Sequence, residues 1–311
     1  MTGAVLVTGS AGFLGDALTA RLHSLPGIRL LRTDLRPAPG VIPCDLADPD
    51  AARRLLRRAR PGVVFHAAGT VRRDALWRSH VDSTVCLLDA VRALPDPASV
   101  RIVIPGSSAE YGLAGGDGGP RSPRTRETDP AEPITPYGVS KLAQTLIALS
   151  YRHRGLDVRV GRIFNILGPG MPETLSLGSF ARQIARIERG LQTPRLTVGR
   201  LSAERDYVHV ADVARALCLI ASRGRSGEAY NVCSGRLHSM RELLDAMLAF
   251  ATRRIAVVQD PVRMRGPEVR RIAGDGRKLA AATGWRPRIA VDAALRETLD
   301  WHRRALPAAA A

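Results

Sequence analysis

The apolar run Val5-Leu-Val-Thr8 passes without a break into Gly9-Ser-Ala-Gly12-Phe-Leu-Gly15, and no other stretch restricts the fold as much. Glycines three apart at a strand end let the backbone turn sharply, let a ligand approach the main chain and let the next helix pack close to the sheet. The helix that follows offers free N–H groups and the positive end of its dipole, which together favour a pyrophosphate. Asp34 comes about 20 residues later, at the end of the next apolar run, where a carboxylate accepts both ribose hydroxyls of an adenosine. The expected contacts to such a cofactor are Gly9, Gly12, Phe13, Leu14, Gly15 and Asp34. Asp45 and Leu46 are expected at the adenine edge, and the small residues Ala67, Ala68 and Gly69 along the dinucleotide, with His66 structural. A 2′-phosphate would meet the charge of Asp34, so NAD is favoured, while Arg32 and Arg36 leave NADP open.

Apolar segments alternate with helical ones through the first half of the chain. Strands are expected over 5–8, 29–34, 63–67, 101–106 and 158–164, and helices over 13–24, 49–60, 81–94 and 137–154. This predicts an α/β fold, a doubly wound parallel sheet with a smaller C-terminal α/β lobe. The expected division assigns 1–165 and 207–234 to the dinucleotide-binding part, and 166–206 and 235–311 to the smaller lobe. The stretch from 113 to 133, rich in Gly, Pro, Arg and Ser, is too long and polar for a routine connection and reads as a mobile flap.

Composition excludes several classes. With 311 residues, 45% of them hydrophobic, the chain has material for one large domain or a domain and a lobe. No stretch of about 18 apolar residues and no signal-peptide pattern is seen, so a cytoplasmic protein without a membrane role is expected. Cys44, Cys86, Cys218 and Cys233 form no CxxC pair and read as reduced, buried thiols, with no metal site expected. The net charge of +17 is almost wholly arginine and spread along the chain, as in Arg53-Arg54-Leu-Leu-Arg57-Arg58. A dispersed charge lacks the stripe that phosphate tracking needs, so nucleic acid is not expected as a partner. The field would attract anionic substrates such as diphosphates.

Only two lysines occur, and one of them, Lys141, lies four residues after Tyr137. That spacing puts both on one face of a helix, which Thr135 can cap with Pro136 at its first position. A tyrosine ordinarily titrates near 10, and a neighbouring ammonium and an oxidised nicotinamide favour the phenolate, so Tyr137 is expected to be shifted down into use as an acid or base.

The motifs TGSAGFLG, HAAG, GSSAEYG, PYGVSK, RIFNILGPG, ERDYVHVADVARA, GEAYNVCSG and DPVRMRGPEV followed by GWRP resemble the extended short-chain dehydrogenase/reductases that act on nucleotide sugars. The resemblance runs from Thr8 to about Trp301; within it, 162–285 is most similar to GDP-6-deoxy-4-keto-mannose reductases and then to UDP-galactose 4-epimerases. It implies catalysis by Ser107, Tyr137 and Lys141, and a nucleotide-diphosphate sugar held by Ser108, Asn165, Arg205, Arg265 and Glu268, with Asp206 orienting neighbours or contacting ribose. It also implies a homodimer through the helices near 81–94 and 137–154. The implied activity is reduction of a 4-keto-6-deoxy sugar nucleotide, with 4-epimerisation second and 4,6-dehydration or a non-catalytic NAD-binding role third. Dehydratases of this kind carry an acidic base where Ala109 stands, and Glu110 beside it is expected to point away on a strand. His80 stands where the family has asparagine and Ile166 where it has histidine; 173–178 is longer than in the reductases.

Overall fold

The computed structural model describes residues 3–113, 124–264 and 269–306. The chain opens with β1 (Gly3–Thr8), α1 (Phe13–His23), β2 (Ile28–Asp34), β3 (Ile42–Pro43), α2 (Pro49–Ala59), β4 (Val63–His66), α3 (Ser83–Arg92), β5 (Arg101–Ser107), α4 (Pro136–Ser150) and β6 (Asp157–Ile163). It continues through β7 (Asn165–Leu167), α5 (Ser176–Glu188), β8 (Arg195–Val198), β9 (Glu204–Arg205), β10 (Tyr207–His209), α6 (Val210–Arg223) and β11 (Ala229–Val232). The last elements are β12 (His238–Ser239), α7 (Met240–Ala249), β13 (Ala256–Gln259), β14 (Arg271–Ile272), α8 (Arg277–Thr283) and α9 (Val291–Ala305).

Among the described residues seven strands form one parallel sheet in the order β11-β6-β5-β4-β1-β2-β3. Alternate side chains leave a strand on opposite faces. Val5, Val7, Val63, Phe65 and Val103 therefore pack with α1 and α6, in one core with Leu18, Leu22, Val213 and Leu217. Leu6, Val64, Ile102 and Ile104 pack the other way, with Leu55 and Leu56 of α2 and Leu87, Leu88 and Val91 of α3. Strands buried on both faces read as continuous apolar runs, which is why the sequence marked them clearly. The doubly wound α/β architecture expected from the alternation is thus present.

After β6 the chain builds shorter pieces. β7 pairs with β10, β8 with β13, and β9 lies between β12 and β14. A separate core gathers Phe180 and Ile184 of α5, Leu243 and Leu244 of α7, and Leu295 and Leu299 of α9. No described helix is long and apolar enough to cross a membrane.

Two expectations change. Residues 114–123 of the expected flap lie outside the described residues, but the end of that stretch is fastened down. Thr125 donates its N–H to Ala273 O at 2.8 Å and accepts from Asp275 N at 2.8 Å and from Asn231 Nδ2 at 2.9 Å. Glu127 Oε1 accepts from Asn231 N at 2.7 Å, so 125–127 is a strap from β11 to 273–275. A polar segment with this many main-chain partners has little freedom to move. Of the four free cysteines, Cys218 and Cys233 are buried, whereas Cys44 and Cys86 are only partly covered.

Candidate active site

A cleft of about 690 Å³ opens at the C-terminal ends of the central strands. Gly9 has φ +61°, and a Cβ there would sit 2.6 Å from the Ala68 backbone. A Cβ at Gly15 would run into Gly9 O, so α1 can approach the turn only with glycine at that position. Gly12 caps α1 without a side chain, leaving the helix start open to the cleft beside Phe13 and Leu14. Ala67, Ala68 and Gly69, following β4, form the facing wall. Asp34 ends β2, with Oδ2 accepting from Ala11 N at 3.0 Å and Oδ1 from Arg36 N at 3.2 Å. This is a cradle that side chains would fill, with a carboxylate at its far end, and it fits a dinucleotide. Asp45 accepts from Arg78 Nη2 at 2.6 Å and from Ala47 N at 3.0 Å. The Leu46 side chain is buried in the core.

The acid–base groups meet in the middle of the cleft. Thr135 Oγ1 accepts from Gly138 N at 3.0 Å and Pro136 takes the first position of α4. A Cβ on Gly138 would strike Ala109 O, so its absence lets α4 dock on the turn after β5 and brings Tyr137 to Ser107. Lys141, buried one turn on, donates to Pro105 O at 2.6 Å and to Gln144 Oε1. Burial pulls its ammonium down to about 8, partly opposed by the Glu110 carboxylate. The expected depression of Tyr137 is not found in the chain alone. Burial pushes the phenol up, a hydrogen bond with Ser107 draws it back, and Glu110 raises it further. An oxidised nicotinamide is the charge that remains to favour the phenolate.

Glu110 lies on a single 3₁₀ turn, Ser108–Glu110, and not on a strand. Fully buried, it accepts from Ser107 N at 2.7 Å, Thr145 Oγ1 at 3.0 Å and Arg162 Nε at 2.8 Å. Arg162 reaches on to Tyr111 Oη at 3.1 Å and Glu127 O at 3.3 Å, which couples the strap to the turn carrying Ser107. Sequence reasoning missed this pair. The available signal was a charge at an inward-facing position of an apolar strand, since such a charge requires a partner.

At the outer end Ser108, Asn165 and Arg205 line the cleft with Ile134, Leu175 and Val269. Asn165 Nδ2 donates to Asp206 O at 3.1 Å, while Arg205 Nη1 donates to Glu204 O at 3.0 Å and Arg270 O at 3.1 Å. Asp206 is wholly buried; its carboxylate takes Ser234 N and Oγ, Gly235 N and Gly274 N, so it orients these loops and makes no ribose contact available. Arg265 and Glu268 lie outside the described residues. Ala109 lines the cleft where a dehydratase would need its carboxylate.

Three comparisons bear on this arrangement. The chain is 34% identical to the GDP-6-deoxy-D-mannose reductase of Pseudomonas aeruginosa, over 98% of this chain and 99% of that protein. It is 31% identical to the dTDP-6-deoxy-L-talose 4-dehydrogenase (NAD(P)(+)) of Kitasatospora kifunensis, over 94% and 93% respectively. The structure of RMD from Pseudomonas aeruginosa complexed with NADPH superposes with a TM-score of 0.84 at 33% identity, covering 97% of this chain and all of that one. Residues 5–233 match a model of the NAD dependent epimerase/dehydratase family, and the chain belongs to that family.

Proposed function

We propose that the protein is an NAD(P)-dependent nucleotide-sugar reductase that reduces a 4-keto-6-deoxy sugar nucleotide at C4. The observation that carries this reading is the convergence of Ser107, Tyr137 and Lys141 in one cleft, between the glycine cradle and the end bearing Asn165 and Arg205. Residues 1–165 and 207–234 would hold the cofactor through Gly9, Gly12, Gly15 and Asp34. Residues 166–206 and 235–311 would hold the nucleotide sugar, Arg205 offering a forked donor to a diphosphate. When bound, a reduced nicotinamide supplies hydride. Tyr137 donates its phenolic proton to O4 as C4 becomes tetrahedral, and Ser107 hydrogen-bonds the same oxygen. Lys141, held by Pro105 O and Gln144 one turn along α4, would donate to the cofactor ribose and keep a positive charge in the cleft. Ala109 supplies no base for removing a C5 proton, which argues against dehydration.

A homodimer through α3 and α4 accords with Val139 and Leu146, which stand 41% and 59% exposed on one face of α4. A cytoplasmic setting accords with the free cysteines.

The test is NADH and NADPH consumption with GDP-, dTDP- and UDP-linked 4-keto-6-deoxy sugars, beside chromatography of intact UDP-hexoses incubated with NAD. Stoichiometric consumption with one keto-sugar is expected, and Tyr137→Phe should lower kcat by roughly 100- to 10,000-fold. Interconversion of intact hexoses without net consumption makes the protein an epimerase and overturns the reading.

A further inference from the structure

His80 is 2% exposed and lines the cleft, yet it has no part in the chemistry above. It lies on a π-helical turn, Arg78–Asp82, immediately before α3. The extra residue of such a turn rotates the helix face locally and re-aims a side chain, here with the His80 carbonyl secured by Thr84 Oγ1 at 2.5 Å. The ring meets the Tyr137 ring edge-on, with centroids 5.6 Å apart and planes at 77°.

Both ring nitrogens are engaged, and the hydrogen bookkeeping fixes the tautomer. Ser140 Oγ donates its one hydrogen to Tyr137 O at 2.8 Å. Because the Thr70 N–H is a fixed donor aimed at Nε2, Nδ1 of His80, 2.9 Å from that oxygen, carries the hydrogen and donates it. Nε2 is left with a lone pair, which accepts from Thr70 N at 3.3 Å. A second proton would set an N–H against the Thr70 N–H. Burial and the nearby Lys141 charge oppose it too, pulling the imidazole down to about 3. Gly69 permits the close approach, since a Cβ there would lie 3.0 Å from Nε2.

One neutral ring thus spans two elements that the sheet alone does not connect. At one end is the Gly69–Thr70 loop on the cofactor wall; at the other is the first turn of α4, held at the carbonyl of Tyr137. We propose that His80 is a positioning residue whose ring locks the cofactor loop to the Tyr137 turn and so sets the phenol against the nicotinamide. Rested on the reductase reading, this assigns His80 a role in catalysis without contact to the reacting atoms.

Three variants test it. His80→Phe keeps the volume without polar ends, His80→Ala removes both, and His80→Gln restores one donor and one acceptor on a flexible chain. Folding is checked by thermal melting, then NADH affinity by fluorescence titration, and kcat, sugar KM and the pH profile of kcat by steady-state assay. His80→Phe is expected to weaken NADH binding by about 10-fold, the worth of one backbone hydrogen bond. It should also lower kcat by about 100-fold at little-changed sugar KM, as expected for a misplaced acid. The pH limb of kcat should move in His80→Phe and return toward wild type in His80→Gln. A folded His80→Phe protein with wild-type NADH affinity, kcat and pH limb would mean the ring only packs, and would overturn the proposal. If wild type reduces no keto-sugar, the reductase reading falls, and the NADH arm alone decides the role of His80: ten-fold weakening supports it and unchanged affinity refutes it.

Discussion

Glu110→Ala removes one carboxylate and strands a guanidinium. Side-chain exposure is 0% for Glu110 and 9% for Arg162, so neither charge has much water to turn to. Breaking a buried pair from one side costs about 3–5 kcal/mol, because the remaining charge stays desolvated. The Ser107 N–H and the Thr145 hydroxyl lose their acceptor as well. Thr145 can turn to its own helix, whereas Ser107 N cannot, which adds about 1 kcal/mol or more. A total near 5 kcal/mol, at about 2 °C per kcal/mol for a chain of this size, lowers Tm by roughly 10 °C. Glutamine is no rescue, because its amide must present a donor either to Arg162 or to Ser107 N. The assay is a double-mutant cycle of Glu110→Ala and Arg162→Met followed by thermal melting and urea titration. The double variant should be more stable than the sum of the single losses by at least about 1–3 kcal/mol, since it buries no lone charge. A single-variant loss below about 1 kcal/mol, or coupling near zero, would refute the claim that a desolvated ion pair holds the Ser107 turn.

Two further outcomes follow from the geometry. Gly15→Ala drives a methyl into Gly9 O and should abolish NADH binding in a fluorescence titration while the far-UV spectrum stays folded; wild-type affinity would mean the glycine turn is not the cradle. His66, fully buried between Thr8 and Thr84, is pulled down to about 3 from an unfolded value near 6.5 by burial and then by Lys141. Between those values the unfolded chain binds the extra proton, so stability from this group is full above about pH 6.5 and is lost as pH falls toward 3. Going from pH 6.5 to 4.5 should cost roughly 2 kcal/mol through His66, and His66→Gln should flatten that part of the acid limb in urea titrations at each pH. An unchanged acid limb in the variant would show that His66 already takes up a proton when folded.

What was legible in the sequence was local. The glycine turn, the Tyr137–Lys141 pair and its Thr135 cap each lie within one element or one junction, where spacing translates directly into geometry. The central strands were legible because two-sided burial leaves an uninterrupted apolar run. What escaped depends on residues brought together by the sheet. Glu110, on the turn after β5, meets Arg162 on β6, and His80, on the π-helical turn before α3, meets Ser140 on α4. The Lys141 ammonium was expected to act on Tyr137, but strand β5 supplies it with the Pro105 carbonyl first. The segment 125–127 read as part of a mobile flap because its partners, Asn231 and Ala273, come from the far end of the chain.

The late position of β11 has a consequence for how the protein must be made. β6 is an interior strand only because β11 lies on its outer side, and β11 is encoded after α5 and α6. A nascent chain therefore carries β6 as an unsealed edge through much of its synthesis, with Val158 and Val160 on a strand whose outer backbone groups are unclaimed. Domains fold as units during translation, and open apolar edges recruit other chains. A product terminated before Ala229 would not be a smaller working sheet but a self-associating fragment, and a ribosomal pause in that interval would expose the same surface. The last strand to join the seven-stranded sheet thus acts as a seal, and its timing governs how much of the newly made protein escapes aggregation.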